Sequence, residues 1–127
     1  MKQLSIFLKN QPGELSRLMS QLISNNTSII AMSITDTNEN GILRMVVDKP
    51  DKTFESFISN DINCYLSNVV VVKITDAREL DKLFKLFSAN ELNVEYLYTY
   101  KESYFIIKIE NIEKAEDLLV RESFNIL

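Results

Sequence analysis

The sequence contains no histidine and no tryptophan, and only one cysteine, two glycines and two prolines among its 127 residues. Each scarcity excludes chemistry. Without histidine there is no Ser-His-Asp or Cys-His nucleophile, no HExxH zinc helix and no histidine base working near neutral pH. Cys64 alone builds neither a four-cysteine zinc or iron–sulfur centre nor an intramolecular disulfide. Gly13 and Gly41 satisfy neither a dinucleotide fingerprint nor a Walker A loop, both of which need glycines at fixed spacing. Catalysis would have to come from lysine, tyrosine or carboxylates, and no pair of these is placed for it. The expectation is a protein that is not an enzyme and holds no metal or cofactor.

A surplus of positive charge is also lacking. Eighteen aspartates and glutamates outweigh fourteen lysines and arginines, for a net charge of −4. The electrostatic term that drives binding to a phosphate backbone is therefore missing, and no nucleic-acid partner is expected. No stretch approaches the roughly 18 consecutive apolar residues of a membrane span, and Met1-Lys2-Gln3-Leu4-Ser5 lacks the apolar region of a signal peptide. With a single unpaired cysteine, these absences point to a reducing, cytoplasmic compartment and no membrane contact.

What is present is a pattern that occurs twice, offset by about 65 residues. Leu4 to Leu8 reads as a first strand, and Val69 to Ile74 is its counterpart, whose unbroken valines imply burial on both faces. A helix follows each. Leu15, Leu18, Met19, Leu22 and Ile23 form one apolar stripe, and Leu80, Leu83, Phe84 and Phe87 repeat its spacing. Asp76 with Glu79 resembles a capping box, whereas the first helix starts at Pro12-Gly13-Glu14. Ser28 to Thr35 then leads through Asn38-Glu39-Asn40-Gly41 into Ile42 to Val47, a hairpin whose turn the Asn-Gly pair marks. Asn93 to Tyr100 and Tyr104 to Ile109 repeat the strand pair around Lys101-Glu102-Ser103. Shorter helices follow, marked by Phe54, Phe57 and Ile58 and by Ile112, Ala115 and Leu119 after an Asn111 cap. Ile62 to Leu66 closes the first copy, and Phe124 to Leu127 is a clipped version of that strand. The predicted fold is α+β: two βαββαβ repeats of ferredoxin-like type, residues 1–67 and 68–127, each an antiparallel sheet with both helices on one face.

The string Leu8-Lys9-Asn10-Gln11-Pro12-Gly13-Glu14-Leu15-Ser16 resembles the ACT domain, whose first strand ends in an Asn-x-Pro-Gly-x-Leu loop. Asn26-Thr27-Ser28-Ile29-Ile30 resembles the start of that family's second strand, and Leu92-Asn93-Val94 resembles it more closely. The likeness covers the whole chain and implies a stand-alone tandem ACT protein with a regulatory role. It further implies a small ligand, an amino acid, bound at an interface between ACT repeats. Read as residues only, Asn10-Gln11-Pro12-Gly13 is either a tight turn or a preformed ligand loop, because Pro-Gly suits both. Free N–H groups at the helix start favour a carboxylate, and the Asn10 amide can serve either end of a zwitterion.

The two copies depart from the family pattern in opposite ways. The first keeps the loop but has Ser28 at the strand position. The second keeps Asn93 but has Thr75-Asp76-Ala77-Arg78 in place of the loop. The resemblance thus implies one composite site per chain, from Asn10, Gln11, Pro12, Gly13, Glu14 and Leu15 together with Asn93. The mirrored set, Thr75 and Ala77 with Ser28, is expected to be weaker or inactive. A homodimer is expected, since exposed sheet edges invite pairing. The alternative is a constitutive interaction or scaffold module that has lost its ligand. Tyr96, Tyr98 and Tyr100 fall on one face of a strand with Tyr104 beside them, a row better suited to sheet packing than to stacking bases on so acidic a chain. Cys64 is expected to be a buried apolar residue, and the abundant Asn and Ser read as compositional bias.

Overall fold

The computed structural model describes residues 1–9, 11–36 and 40–127. The first six elements are β1 (Lys2–Lys9), α1 (Glu14–Ser24), β2 (Ile29–Asp36), β3 (Asn40–Val47), α2 (Pro50–Ser59) and β4 (Cys64–Asn68). The next six are β5 (Val70–Lys73), α3 (Ala77–Ala89), β6 (Val94–Tyr100), β7 (Tyr104–Ile109), α4 (Ile112–Arg121) and β8 (Asn125–Ile126). The chain divides into two compact units, Lys2–Ser67 and Asn68–Leu127, with Met1 belonging to the latter. Met1 joins it through its carbonyl, which accepts from the Val69 N–H at 2.8 Å.

Each unit is a βαββαβ fold of the ferredoxin-like kind, with sheet orders β2-β3-β1-β4 and β6-β7-β5-β8. Alternation along the strands assigns the core. Leu4, Ile6 and Leu8 of β1 and Leu43, Met45 and Val47 of β3 share the face on which Leu18 and Leu22 of α1 and Phe57 of α2 pack. The second unit repeats this with Val70, Val72, Ile74, Ile107 and Ile109 under Leu83, Phe87, Ala115 and Leu119. Register is matched as well: Leu4 lies opposite Met45 and Val70 opposite Ile107. Cys64 sits in the first core, and Val69 to Val72 are buried, as the sequence implies.

The helix stripes are narrower than the sequence suggests. Leu18 and Leu22 are buried, but Leu15 is 42% and Ile23 77% exposed. The sheet reaches only the middle of the stripe, so its flanks face outward. Ile58 and Phe84 are exposed at the margins of α2 and α3 for the same reason.

The hairpin needs a correction. Asn40 and Gly41 are not its turn but belong to β3, where Asn40 lies opposite Lys9 and Gly41 opposite both Leu8 and Asp36. Gly41 does not have the positive φ that an Asn-Gly turn of the tight hairpin type requires. Asn38 and Glu39, the other half of the predicted turn, lie outside the described residues.

Scarcity of glycine shows most plainly at the helix ends. A left-handed residue commonly follows a helix, and it is usually glycine. Here Asn26, Asp61, Glu91 and Ser123 take that role, with φ between 50° and 63°. The hydrogen bonds are those of a Schellman exit: Thr27 N–H to Leu22 O, Ile62 to Phe57, Leu92 to Phe87 and Phe124 to Leu119, at 2.8–2.9 Å. In the first three helices an asparagine precedes the left-handed residue. Asn25, Asn60 and Asn90 donate through Nδ2 to the carbonyls of Gln21, Ser56 and Leu86 at 2.7–2.9 Å. These asparagines are helix caps rather than compositional bias.

Candidate functional site

The chain turns from β1 into α1 within a few residues, and the turn dictates what lies at the helix start. Gln11 N–H donates to Lys9 O at 2.8 Å, and Glu14 N–H to Gln11 O at 3.4 Å. Gly13 occupies the N-cap position at φ 90°, in the left-handed region, and supplies no side-chain cap. The first-turn N–H groups of a helix have no intrahelical acceptor, and Gly13 has no side chain to receive one. In the second unit the equivalent start is closed. The Asp76 carboxylate accepts from the Glu79 N–H at 2.9 Å, while Glu79 Oε2 accepts from both the N–H and the hydroxyl of Thr75 at 3.0 and 2.9 Å. The predicted capping box is present, with its reciprocal arm reaching Thr75 instead of Asp76.

Beside the α1 start lies a cavity of about 290 Å³ lined by Leu8, Lys9, Gln11, Glu14, Leu15, Ile34, Thr35 and Gly41. Its apolar wall comes from three elements: Leu8 of β1, Leu15 of α1 and Ile34 of β2. Its polar rim carries Lys9, Gln11 and Glu14. Glu14 is held in place by Arg17, whose Nη2 donates to Glu14 Oε2 at 3.0 Å. A shallower hollow of about 190 Å³ lies against Gln11, Pro12, Gly13, Glu14 and Arg17. An apolar pocket with a few converging polar groups is the usual form of a small-ligand site. Cation, carboxylate and helix N–H groups around one apolar cavity suit a zwitterion with an apolar side chain.

A register-equivalent cavity, also of about 290 Å³, lies in the second unit against Ile74, Thr75, Asp76, Ala77, Leu80, Glu102 and Phe105. Ile74 N–H donates to Ser103 O at 2.7 Å, the pairing that corresponds to Leu8 opposite Gly41. Its surroundings are acidic, with Asp76 and Glu102 on its lining and Glu79 at the helix start behind it.

Of the residues singled out from sequence, Gln11, Glu14 and Leu15 meet around the first cavity, and Pro12 and Gly13 border the shallower hollow. Asn10 lies outside the described residues. Thr75 and Ala77 meet around the cavity of the second unit. Ser28 is exposed just before β2, and its N–H donates to Asp48 Oδ1 at 3.0 Å. Asn93 is exposed just before β6, beside a shallow hollow lined also by Phe84, Ser88 and Leu92. Sequence reasoning missed Leu8, Lys9, Ile34, Thr35 and Gly41. The first two adjoin the loop and were within reach. The others come from β2 and β3, and only the sheet register brings them there.

Tyr96, Tyr98 and Tyr100 do share a face of β6, opposite Lys108, Ile106 and Tyr104. The Tyr100 and Tyr104 rings stand 5.8 Å apart, and Lys101 Nζ lies 5.2 Å from the Tyr100 ring centre. Among the described residues no group of three or more Cys, Asp or Glu could hold a metal ion, and no helix is long and apolar enough to cross a membrane.

The sequence matches the family model of the ACT domain pair over residues 1–127. Among solved structures it is similar to protein BT0572 from Bacteroides thetaiotaomicron, at 28% identity and a TM-score of 0.91, covering 99% of this chain and 90% of that one. It shares the fold of the aspartate kinase regulatory subunits from Thermus thermophilus, at 18% identity and TM-score 0.68, and Thermus flavus, at 17% and 0.67. In both cases the match covers 94% of this chain and 88% of the other. No curated protein matches the sequence.

Proposed function

The chain belongs to the ACT domain pair family, and we propose that it is a non-catalytic regulatory protein that binds a free amino acid at the α1 loop of its first repeat. The observation that carries this reading is the start of α1, whose N-cap residue Gly13 has no side chain to cap it, beside a cavity rimmed by Lys9 and Glu14. The ligand carboxylate is received by the helix N–H groups and Lys9, and its ammonium by Glu14. Gln11, Pro12 and Gly13 shape the loop, and Asn10 belongs to it on sequence pattern. Asn93, on sequence pattern, is the residue that a second ACT repeat contributes. The matching start in the second repeat is already occupied by the carboxylates of Asp76 and Glu79, which oppose an anionic group, so Thr75 and Ala77, with Ser28, make at most a weaker site. The protein acts in the cytoplasm as a homodimer whose association the ligand stabilises.

Thermal-shift titration with the free L-amino acids tests this. At least one should raise Tm in a saturable way, worth about 2.7 kcal/mol at a hundred times Kd. Glu14→Gln should weaken that ligand while leaving the unliganded protein folded, because the substitution is nearly isosteric and the Arg17 side chain it pairs with is half exposed. If no amino acid shifts Tm, the second reading takes its place, a constitutive interaction module. What favours that reading is the apolar row Ile30, Met32 and Ile34, each over 40% exposed on the edge strand β2.

A further inference from the structure

Among the described residues, nothing structural requires position 41 to be glycine. It lies inside β3, paired on both sides, where glycine weakens a strand and leaves nothing to pack. Its φ is outside the left-handed region, so the backbone admits any residue. There is also room for a side chain. A Cβ would lie 3.5 Å from Thr35 O and 3.7 and 3.8 Å from Cβ and Cδ1 of Leu8, ordinary contact distances. Thr35 and Leu8 both line the first cavity, so that Cβ would stand in the space beside them. A strand glycine that neither backbone nor packing demands marks a place where something else approaches closely.

The surrounding wall says what approaches. Leu8 is buried, whereas Leu15 and Ile34 remain 42% and 49% exposed, apolar surface that a ligand would cover. The cavity is open to solvent, so the chemistry of its wall, not its volume, selects the ligand. Among the described lining residues, charge sits on the rim at Lys9 and Glu14, where the ligand's own ammonium and carboxylate lie. Among the described lining residues the wall of Leu8, Leu15, Ile34 and Gly41 is apolar, with Thr35 beside it. Building on the amino-acid reading above, we infer that the ligand is an amino acid with an aliphatic side chain that lies across Gly41 between Leu8, Leu15 and Ile34. Gly41 is then a specificity-determining residue, absent as a side chain so that the ligand can reach β3.

Calorimetry with the full chain tests this, using free L-leucine, L-isoleucine, L-valine and L-methionine against L-lysine, L-aspartate and L-serine. The aliphatic set should bind, and the others at least tenfold more weakly. Gly41→Ala should weaken leucine roughly tenfold, the worth of one methyl group in an apolar pocket, with the unliganded Tm unchanged or raised. Ile34→Ser should weaken it similarly, while Ile23→Ser, a control on the exposed flank of α1 outside the cavity lining, should not. Binding of lysine, aspartate or serine as tight as leucine overturns the inference and leaves the amino-acid reading standing. So does unchanged leucine affinity in Gly41→Ala. Absence of binding by any of the seven, and by the remaining amino acids, overturns the amino-acid reading itself.

Discussion

Gly13 and Gly41 illustrate opposite uses of the same residue. Gly13 sits at φ 90°, and among the described residues, its chain neighbours aside, no atom lies within 4 Å of where a Cβ would be, so its glycine answers a backbone demand. Gly13→Ala should therefore cost about 1–2 kcal/mol by forcing an L-residue into the left-handed region, measured by chemical unfolding. Gly41 carries no such demand, and alanine there should be neutral or stabilising. Cys64 provides a third residue-scale test. Burial pushes its thiol from 9.0 up to about 11. The unfolded thiol ionises near its ordinary value while the folded one keeps its proton, so this group favours folding fully below about pH 9. That contribution is lost as pH rises from 9 toward 11. A thiol-specific reagent at pH 8 should label Cys64 only at the rate of unfolding. Rapid labelling of the native protein would contradict its burial.

At the scale of elements, the strands and helices were legible because periodicity reports which face is buried, and each repeat offered a second reading of the first. Helix exits were not legible. The usual signal is glycine, and here Asn26, Asp61, Glu91 and Ser123 accept the left-handed conformation instead. Their Schellman bonds hold them there, so the strain is stored in the helix ends. Glu91→Gly should relieve it and stabilise the fold by about 1 kcal/mol, read as a higher Tm. Asp76→Ala should have the opposite sign. It removes the acceptor for the Glu79 N–H and should cost about 1 kcal/mol. The Asn40-Gly41 error has a physical cause too. The dipeptide favours a tight turn in isolation, but pairing with β1 and β2 draws both residues into the strand.

At the scale of the molecule, two repeats share one fold and differ at the turn into the first helix, where the proposed site lies. The loop side of the first cavity, Gln11, Glu14 and Leu15, is contiguous in sequence and was readable there. Its far wall, Ile34 and Gly41, depends on which strands neighbour one another, which no local pattern states. The asymmetry itself was visible as loop residues kept in one copy and replaced in the other, and the Asp76 and Glu79 hydrogen bonds give that replacement a mechanism. One cavity adjoins a helix start whose N-cap is glycine and has mixed charge on its described rim; its counterpart is acidic and capped by Asp76. The most direct test of this account is the calorimetric stoichiometry of the purified full chain with the amino acid that raises its Tm most. The account predicts one site per chain, weakened by Glu14→Gln and unaffected by Asp76→Asn. Two equivalent sites per chain, or a single site lost in Asp76→Asn and intact in Glu14→Gln, would contradict it.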